Sequence, residues 1–132
     1  MARLAAIWAS FCRLPLAVRL WVALILVPVN AAAILFVGAP GGGWVALLAI
    51  GGMLPNLVIM LHERGFSRLM ALPHLLIWTP LMVVLAGLLA DPALVGGAWR
   101  RYLLALLAVD AVSLAFDARD LWRWWRGERA IA

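Results

Sequence analysis

No charged residue occurs between Arg19 and His62. An apolar run of that length corresponds to two membrane crossings, because about 20 helical residues cover the hydrocarbon core. Such a run has to fold back once. Gly38-Ala39-Pro40-Gly41-Gly42-Gly43 is the turn, since Pro and clustered Gly interrupt helices and open the φ > 0 conformations of a tight reversal. The pattern predicts a first span over about 18–37 and a second over about 44–61.

His62-Glu63-Arg64-Gly65-Phe66-Ser67-Arg68 then interrupts the apolar pattern as a short exposed loop, with Gly65 expected to end the preceding helix. The next uncharged run predicts a third span over about 69–90, stopped at Asp91-Pro92 and bent at Pro73 and Pro80. A fourth span, over about 100–119, contains Asp110, and its polar ends are compensated by aromatic residues. Trp99 and Tyr102 at one end, and Trp122, Trp124 and Trp125 at the other, resemble the aromatic belts of membrane interfaces. Residues 120–132 remain as a basic, aromatic tail.

Ahead of the first span, in residues 1–17, Leu4, Ile7, Trp8 and Phe11 recur at i, i+3, i+4 and i+7, with Arg3, Ser10 and Arg13 elsewhere on the wheel. That spacing predicts a short helix lying in the membrane interface. The charged leader runs as far as Arg19 and no clear A-x-A site follows, so the first apolar stretch reads as a retained helix and not a signal peptide. The expected fold is an all-α integral membrane protein, a single domain of four transmembrane helices arranged as two antiparallel hairpins. Arg3, Arg13, Arg19, Arg64, Arg68, Arg119, Arg123, Arg126 and Arg129 fall on one side, against Arg100 and Arg101 on the other. This bias places both termini in the cytoplasm.

Composition agrees with the pattern. Of 132 residues, 67% are hydrophobic and the mean hydropathy is +1.06, far from the roughly half-apolar make-up of soluble domains. The formal charge of +5 is accounted for by arginines flanking apolar spans, where topology and anionic headgroups call for them, and nucleic acid is not an expected partner. Every basic residue is Arg, which reads as GC-rich coding; the expected location is a bacterial inner membrane. Cys12 is the single cysteine, so an intramolecular disulfide and CxxC chemistry are excluded.

Asp110 is the main candidate for chemistry, because a carboxylate near the middle of a span is costly and faces protein or water. Asn30, Asn56 and Thr79 sit at similar depth, which predicts one polar cluster with a residue from each span. Its two readings are a proton or cation site and interhelical hydrogen bonding. On a helical wheel Asp110, Ser113, Asp117 and Asp120 share a face, while Arg119, Arg123 and Arg126 take the opposite one. Arg64, Arg68, Arg119, Arg123 and Arg126 are expected at lipid headgroups. His74 is placed to pair with Asp117. No cofactor is expected; the alternatives are a haem or metal at His62 and His74, between the second and third spans, or a quinone. Trp78, inside the third span, is placed to stack on a lipophilic ligand.

Nucleophile elbows, P-loops and dinucleotide fingerprints are absent as sequence patterns, which points away from catalysis. The function expected is that of a non-catalytic accessory, assembly or scaffolding subunit beside a larger membrane protein. The alternative is a small transporter or channel, acting as a homo-oligomer, with Asp110 as its proton or cation site.

Overall fold

The computed structural model describes residues 2–66 and 68–129. It is 82% helix, with no strand among the described residues. Those residues form five helical rods: α1 Ala2–Arg13, α2 Leu16–Phe36, α3 Gly42–Glu63, α4 Arg68–Leu89 and α5 Gly97–Trp125. The rods α2, α3 and α4, of 21, 22 and 22 residues, are long and apolar enough to cross a membrane. At 29 residues α5 has the length to do so, but Arg100, Arg101, Asp110, Asp117, Arg119, Asp120 and Arg123 are distributed along it.

Two of the rods, α2 and α3, are interrupted next to a proline, which removes a backbone donor. In α2 a π-helical stretch, Trp21–Leu26, precedes Pro28, a short α-helical piece covers Val27–Ala31, and a 3₁₀ stretch, Ala32–Phe36, closes the rod. Widening the helix just before Pro28 relieves the clash between its ring and the preceding turn. In α3 the break falls at Gly52-Met53, ahead of Pro55, and the Met53 amide donates to Ile50 O (3.0 Å). The predicted bends in α4 do not interrupt it, since Ala71–Leu89 runs on as helix through Pro73 and Pro80.

Two helix ends differ from the expectation. Arg64, not Gly65, takes the left-handed conformation that ends α3 (φ 57°), with the Gly65 amide donating to Met60 O (3.2 Å). Phe66, two residues on, then reaches Ser10 of α1. At the other end, α5 continues beyond 119 because nothing before Gly127 opposes helix. Gly127 (φ 101°) ends it, its amide donating to Trp124 O (3.0 Å) and that of Glu128 to Arg123 O (3.0 Å), the paired bonds of a Schellman cap.

The most extensive helix contact is between α4 and α5. Ala71, His74, Trp78, Leu81 and Leu85 are buried along α4, and Trp99, Leu103, Leu106, Asp110 and Ser113 along α5. Both sets alternate steps of three and four, the spacing of a coiled-coil seam, so the polar residues of α5 occupy seats that leucine holds one or two turns earlier. Around this seam pack Leu26 and Ala33 of α2 and Val45, Ala46 and Ala49 of α3. The turn between α2 and α3 is held down by Trp99, whose indole N–H donates to Pro40 O (3.0 Å). Phe36 stacks on Trp99 and Tyr102 at 5.2 and 4.8 Å between centroids. Trp99 is therefore a packing residue, only 6% exposed.

The helix predicted for the N-terminal segment forms as α1 and lies against the Met60–Phe66 end of α3. Ser10 is fully buried and its hydroxyl accepts from the Phe66 amide (2.9 Å). Arg3 Nη1 donates to Leu61 O (3.2 Å), and Phe11 and Phe66 lie 5.5 Å apart. Leu4 and Trp8 are exposed, and with Ile7, Phe11, Ala23, Met60 and Phe66 they line an open apolar groove of about 380 Å³.

Candidate functional site

The buried polar residues form two arrangements, one after the other along the inward face of α5. In the first, Asn30 and Asp110 are fully buried and Asn30 Nδ2 donates to Asp110 Oδ1 (2.7 Å). The second hydrogen of the same amide goes to Leu26 O (2.9 Å). Both donors are therefore committed, and the amide cannot turn over without losing both bonds. Asn30 Oδ1 and Asp110 Oδ2 are buried and find no hydrogen-bond partner among the described residues. Close by, the Tyr102 hydroxyl donates to Val29 O (2.6 Å).

The second arrangement is centred on His74. Asn56 Nδ2 lies 2.9 Å from His74 Nε2, and His74 Nδ1 lies 3.0 Å from Asp117 Oδ2. An amide N–H on Nε2 makes that nitrogen the acceptor, so Nδ1 carries the ring proton and donates to Asp117. The same carboxylate oxygen accepts from Ser113 Oγ (3.3 Å). One imidazole thus ties α3, α4 and α5 together. The Trp78 ring lies parallel to the His74 ring, 3.9 Å between centroids and 5° between planes, and its indole N–H donates to Ala49 O (3.0 Å). This is the carbonyl one residue before the one to which the Met53 amide turns at the break in α3.

Gly52 is required by this contact. A Cβ added there would overlap Nε1 and Cδ1 of the Trp78 ring. Gly42 is required in a similar way by the α2–α3 turn, because a Cβ there would run into Phe36 O. By contrast, Gly87, Ala111 and Ala115 face outward, and a Cβ on Gly51 or Gly87 would meet nothing within 4 Å.

Several sequence-based expectations are corrected by this geometry. Thr79 is exposed and does not join the cluster. It follows Trp78, and one residue is a turn of about 100° around the helix, which carries it off the seam. The predicted single cluster is divided: Asn30 meets Asp110, whereas Asn56 meets His74. Similar depth did not bring all four together, because α3 packs on α4 while Asn30 of α2 reaches α5. Trp78 is fully buried and stacks on a histidine, not on a ligand. His62 is exposed and both nitrogens of His74 are engaged, so the two histidines do not form a haem or metal site. Among the described residues no group of three or more His, Cys, Asp or Glu is arranged to hold a metal ion.

Of the arginines assigned to headgroups, Arg64, Arg119 and Arg126 are exposed. Arg68 instead turns to the C-terminal region, with Nε 3.8 Å from Asp120 Oδ1 and Nη1 donating to Glu128 O (3.2 Å). Tyr102 belongs to the first arrangement although by position it reads as an interfacial aromatic, and nothing in its local sequence marks it. Trp78 was within reach of sequence reasoning, since a spacing of four from His74 puts both on one helix face.

Compared with protein-family models, curated proteins and solved structures, the chain finds no significant match in any of the three.

Proposed function

We propose that this chain is a four-span protein of the bacterial inner membrane, folded as two antiparallel hairpins with both termini in the cytoplasm and α1 lying in the interface. In this reading α5 is the fourth crossing, its arginines at the ends and its buried acids turned toward neighbouring helices. The chain works without catalysis, as an accessory, assembly or scaffolding subunit of a larger membrane complex.

One observation carries the reading. The buried polar side chains join helix to helix within the chain, while large apolar side chains such as Leu24, Leu35, Leu47, Val58, Leu76 and Val83 are exposed. A bundle built this way offers lipid and neighbouring membrane proteins an apolar surface read by shape, the kind of surface on which membrane helices associate. The arginine bias supports the orientation.

The test is a mild-detergent pull-down of the tagged full-length chain, followed by mass spectrometry. A reproducible larger membrane protein, recovered in fixed ratio, is the expected result. Recovery of the chain alone as a homo-oligomer that carries ion flux in liposomes would overturn the accessory reading. That outcome would favour the second one, a small oligomeric transporter or channel, for which the specific support is the pair of buried oxygens at Asn30 and Asp110 that accept no hydrogen bond.

A further inference from the structure

The contact between α2 and α5 leaves two oxygen atoms, one on each helix, fully buried and facing no donor. Their parent groups are already in contact through Asn30 Nδ2 and Asp110 Oδ1 at 2.7 Å, and each orphaned oxygen is one covalent angle from an atom of that bond. Exchanging O and N on Asn30 does not remove the problem, because both amide hydrogens are in use, on Asp110 Oδ1 and Leu26 O. An acceptor buried without a partner costs about 1–3 kcal/mol, more for a charged group, so this junction calls for something electropositive.

We infer that the Asn30–Asp110 junction is a binding site for one desolvated monovalent cation, best matched by Na⁺, with Asp110 Oδ2 and Asn30 Oδ1 as side-chain ligands. Three arguments select that ion class. The ligands are hard oxygens, which favour alkali and alkaline-earth ions over the softer transition metals. With Asp110 ionised the pair carries a single negative charge, which a monovalent ion neutralises, whereas a divalent ion would leave a net positive charge buried at high cost. Both side chains have no exposed surface, and one of the two ligands is a carboxylate, a strong-field oxygen, which favours the smaller Na⁺ over K⁺ in spite of its greater dehydration cost.

The backbone is irregular at the same place. Asn30 lies in a five-residue α-helical piece, Val27–Ala31, between a π-helical and a 3₁₀ stretch. Single-turn π segments are concentrated at functional sites, and interrupted membrane helices are where coupling ions are bound in proteins that carry them. The inference stands on the packing of α2 against α5 alone, and it holds whether the chain is an accessory subunit or a transporter. Under the first role the ion is a structural staple, and under the second it is the coupling ion.

The experiment is thermal unfolding of the purified full-length chain in detergent, followed by far-UV circular dichroism at fixed pH and ionic strength. N-methylglucamine chloride is replaced stepwise by NaCl or by KCl. Na⁺ is expected to raise the midpoint saturably, by about 5 °C near saturation, with K⁺ much weaker. Asp110→Asn, which keeps an acceptor for the Asn30 amide but removes the charge, is expected to lose the Na⁺ response, while Asp117→Asn, in the neighbouring network, keeps it. Should Asp110→Asn fail to fold, binding of radioactive Na⁺ to the wild-type protein decides, with one ion per chain expected. Equal midpoints in Na⁺, K⁺ and N-methylglucamine would overturn the inference. So would a rise shared by Asp110→Asn, which would be a general salt effect, or stabilisation by acid that ignores Na⁺, which would make the occupant a proton.

Discussion

Gly52→Ala adds one methyl group at the closest approach of α3 to α4, on atoms of the Trp78 indole. The ring cannot retreat freely, because it is fully buried, stacked on His74 and tied to Ala49 O. Overpacking of this kind costs about 1–3 kcal/mol. If the ring moves far enough to break its hydrogen bond, the Ala49 carbonyl is orphaned at a further cost of about 1–3 kcal/mol. Against this, replacing Gly by Ala in a helix gains about 0.5–1 kcal/mol. The net expectation is a loss of about 2–4 kcal/mol, a large part of an ordinary domain's stability. The adjacent Gly51→Ala is the matched control, because its Cβ would meet nothing within 4 Å; it is expected to be neutral or to stabilise by up to about 1 kcal/mol. Unfolding in mixed detergent micelles, followed by circular dichroism, measures both. Placing Gly52→Ala in a Trp78→Phe background, which removes the indole nitrogen, is expected to recover part of the loss. If Gly51→Ala and Gly52→Ala cost the same, the steric argument is wrong.

Four further outcomes follow from the geometry. A double-mutant cycle on His74→Ala and Asp117→Ala, read by the same unfolding assay, is expected to give a coupling of about 0.6–1.7 kcal/mol, the range of interhelical hydrogen bonds in membranes; zero coupling would mean that the pair does not hold α4 to α5. Ser10→Ala removes the acceptor of the Phe66 amide and is expected to free α1, seen as faster hydrogen exchange confined to residues 2–13 and 60–66. Arg64→Gly relieves the left-handed backbone at the end of α3 and is expected to stabilise by about 0.5–1 kcal/mol in the micelle assay. Arg68→Gln removes a long, half-exposed ion pair with Asp120 and is expected to cost less than about 1 kcal/mol, a loss that should vanish in high salt.

The helical rods and their ends are largely a matter of local chemistry, which is why they are legible from the residues alone. Uncharged runs of about 20 residues have few alternatives to helix in an apolar solvent, and the breaks fall where the side chains demand them, at Gly38–Gly43 and at Asp91-Pro92. One exception is also local, α5 running past 119 because helix stops only at Gly127; the other, Arg64 in the left-handed position ahead of Gly65, goes with the long-range contact of Phe66 with Ser10. The candidate site was legible in part. Asp110 stands out because a carboxylate in an apolar helix is expensive wherever the helix lies, and His74 with Asp117 follows from the depth at which each sits.

Partner choice across helices was not legible in that way. Depth along a span is a one-dimensional quantity, and it treats Asn30, Asn56, Thr79 and Asp110 alike. Contact also depends on the rotation of each helix and on which helices are neighbours. Rotation sets Thr79 off the seam one residue beyond Trp78, and neighbourhood sends Asn30 to Asp110 and Asn56 to His74. By itself, the order of residues determined where helices form and that polar side chains must be sheltered, because both follow from the solvent and the backbone. Only the tertiary structure decided which polar group meets which, and left oxygens of Asn30, Asn56 and Asp110 without a donor, because pairing is settled by the packing of whole helix faces, where a single buried ring such as Trp78 decides how closely two helices approach.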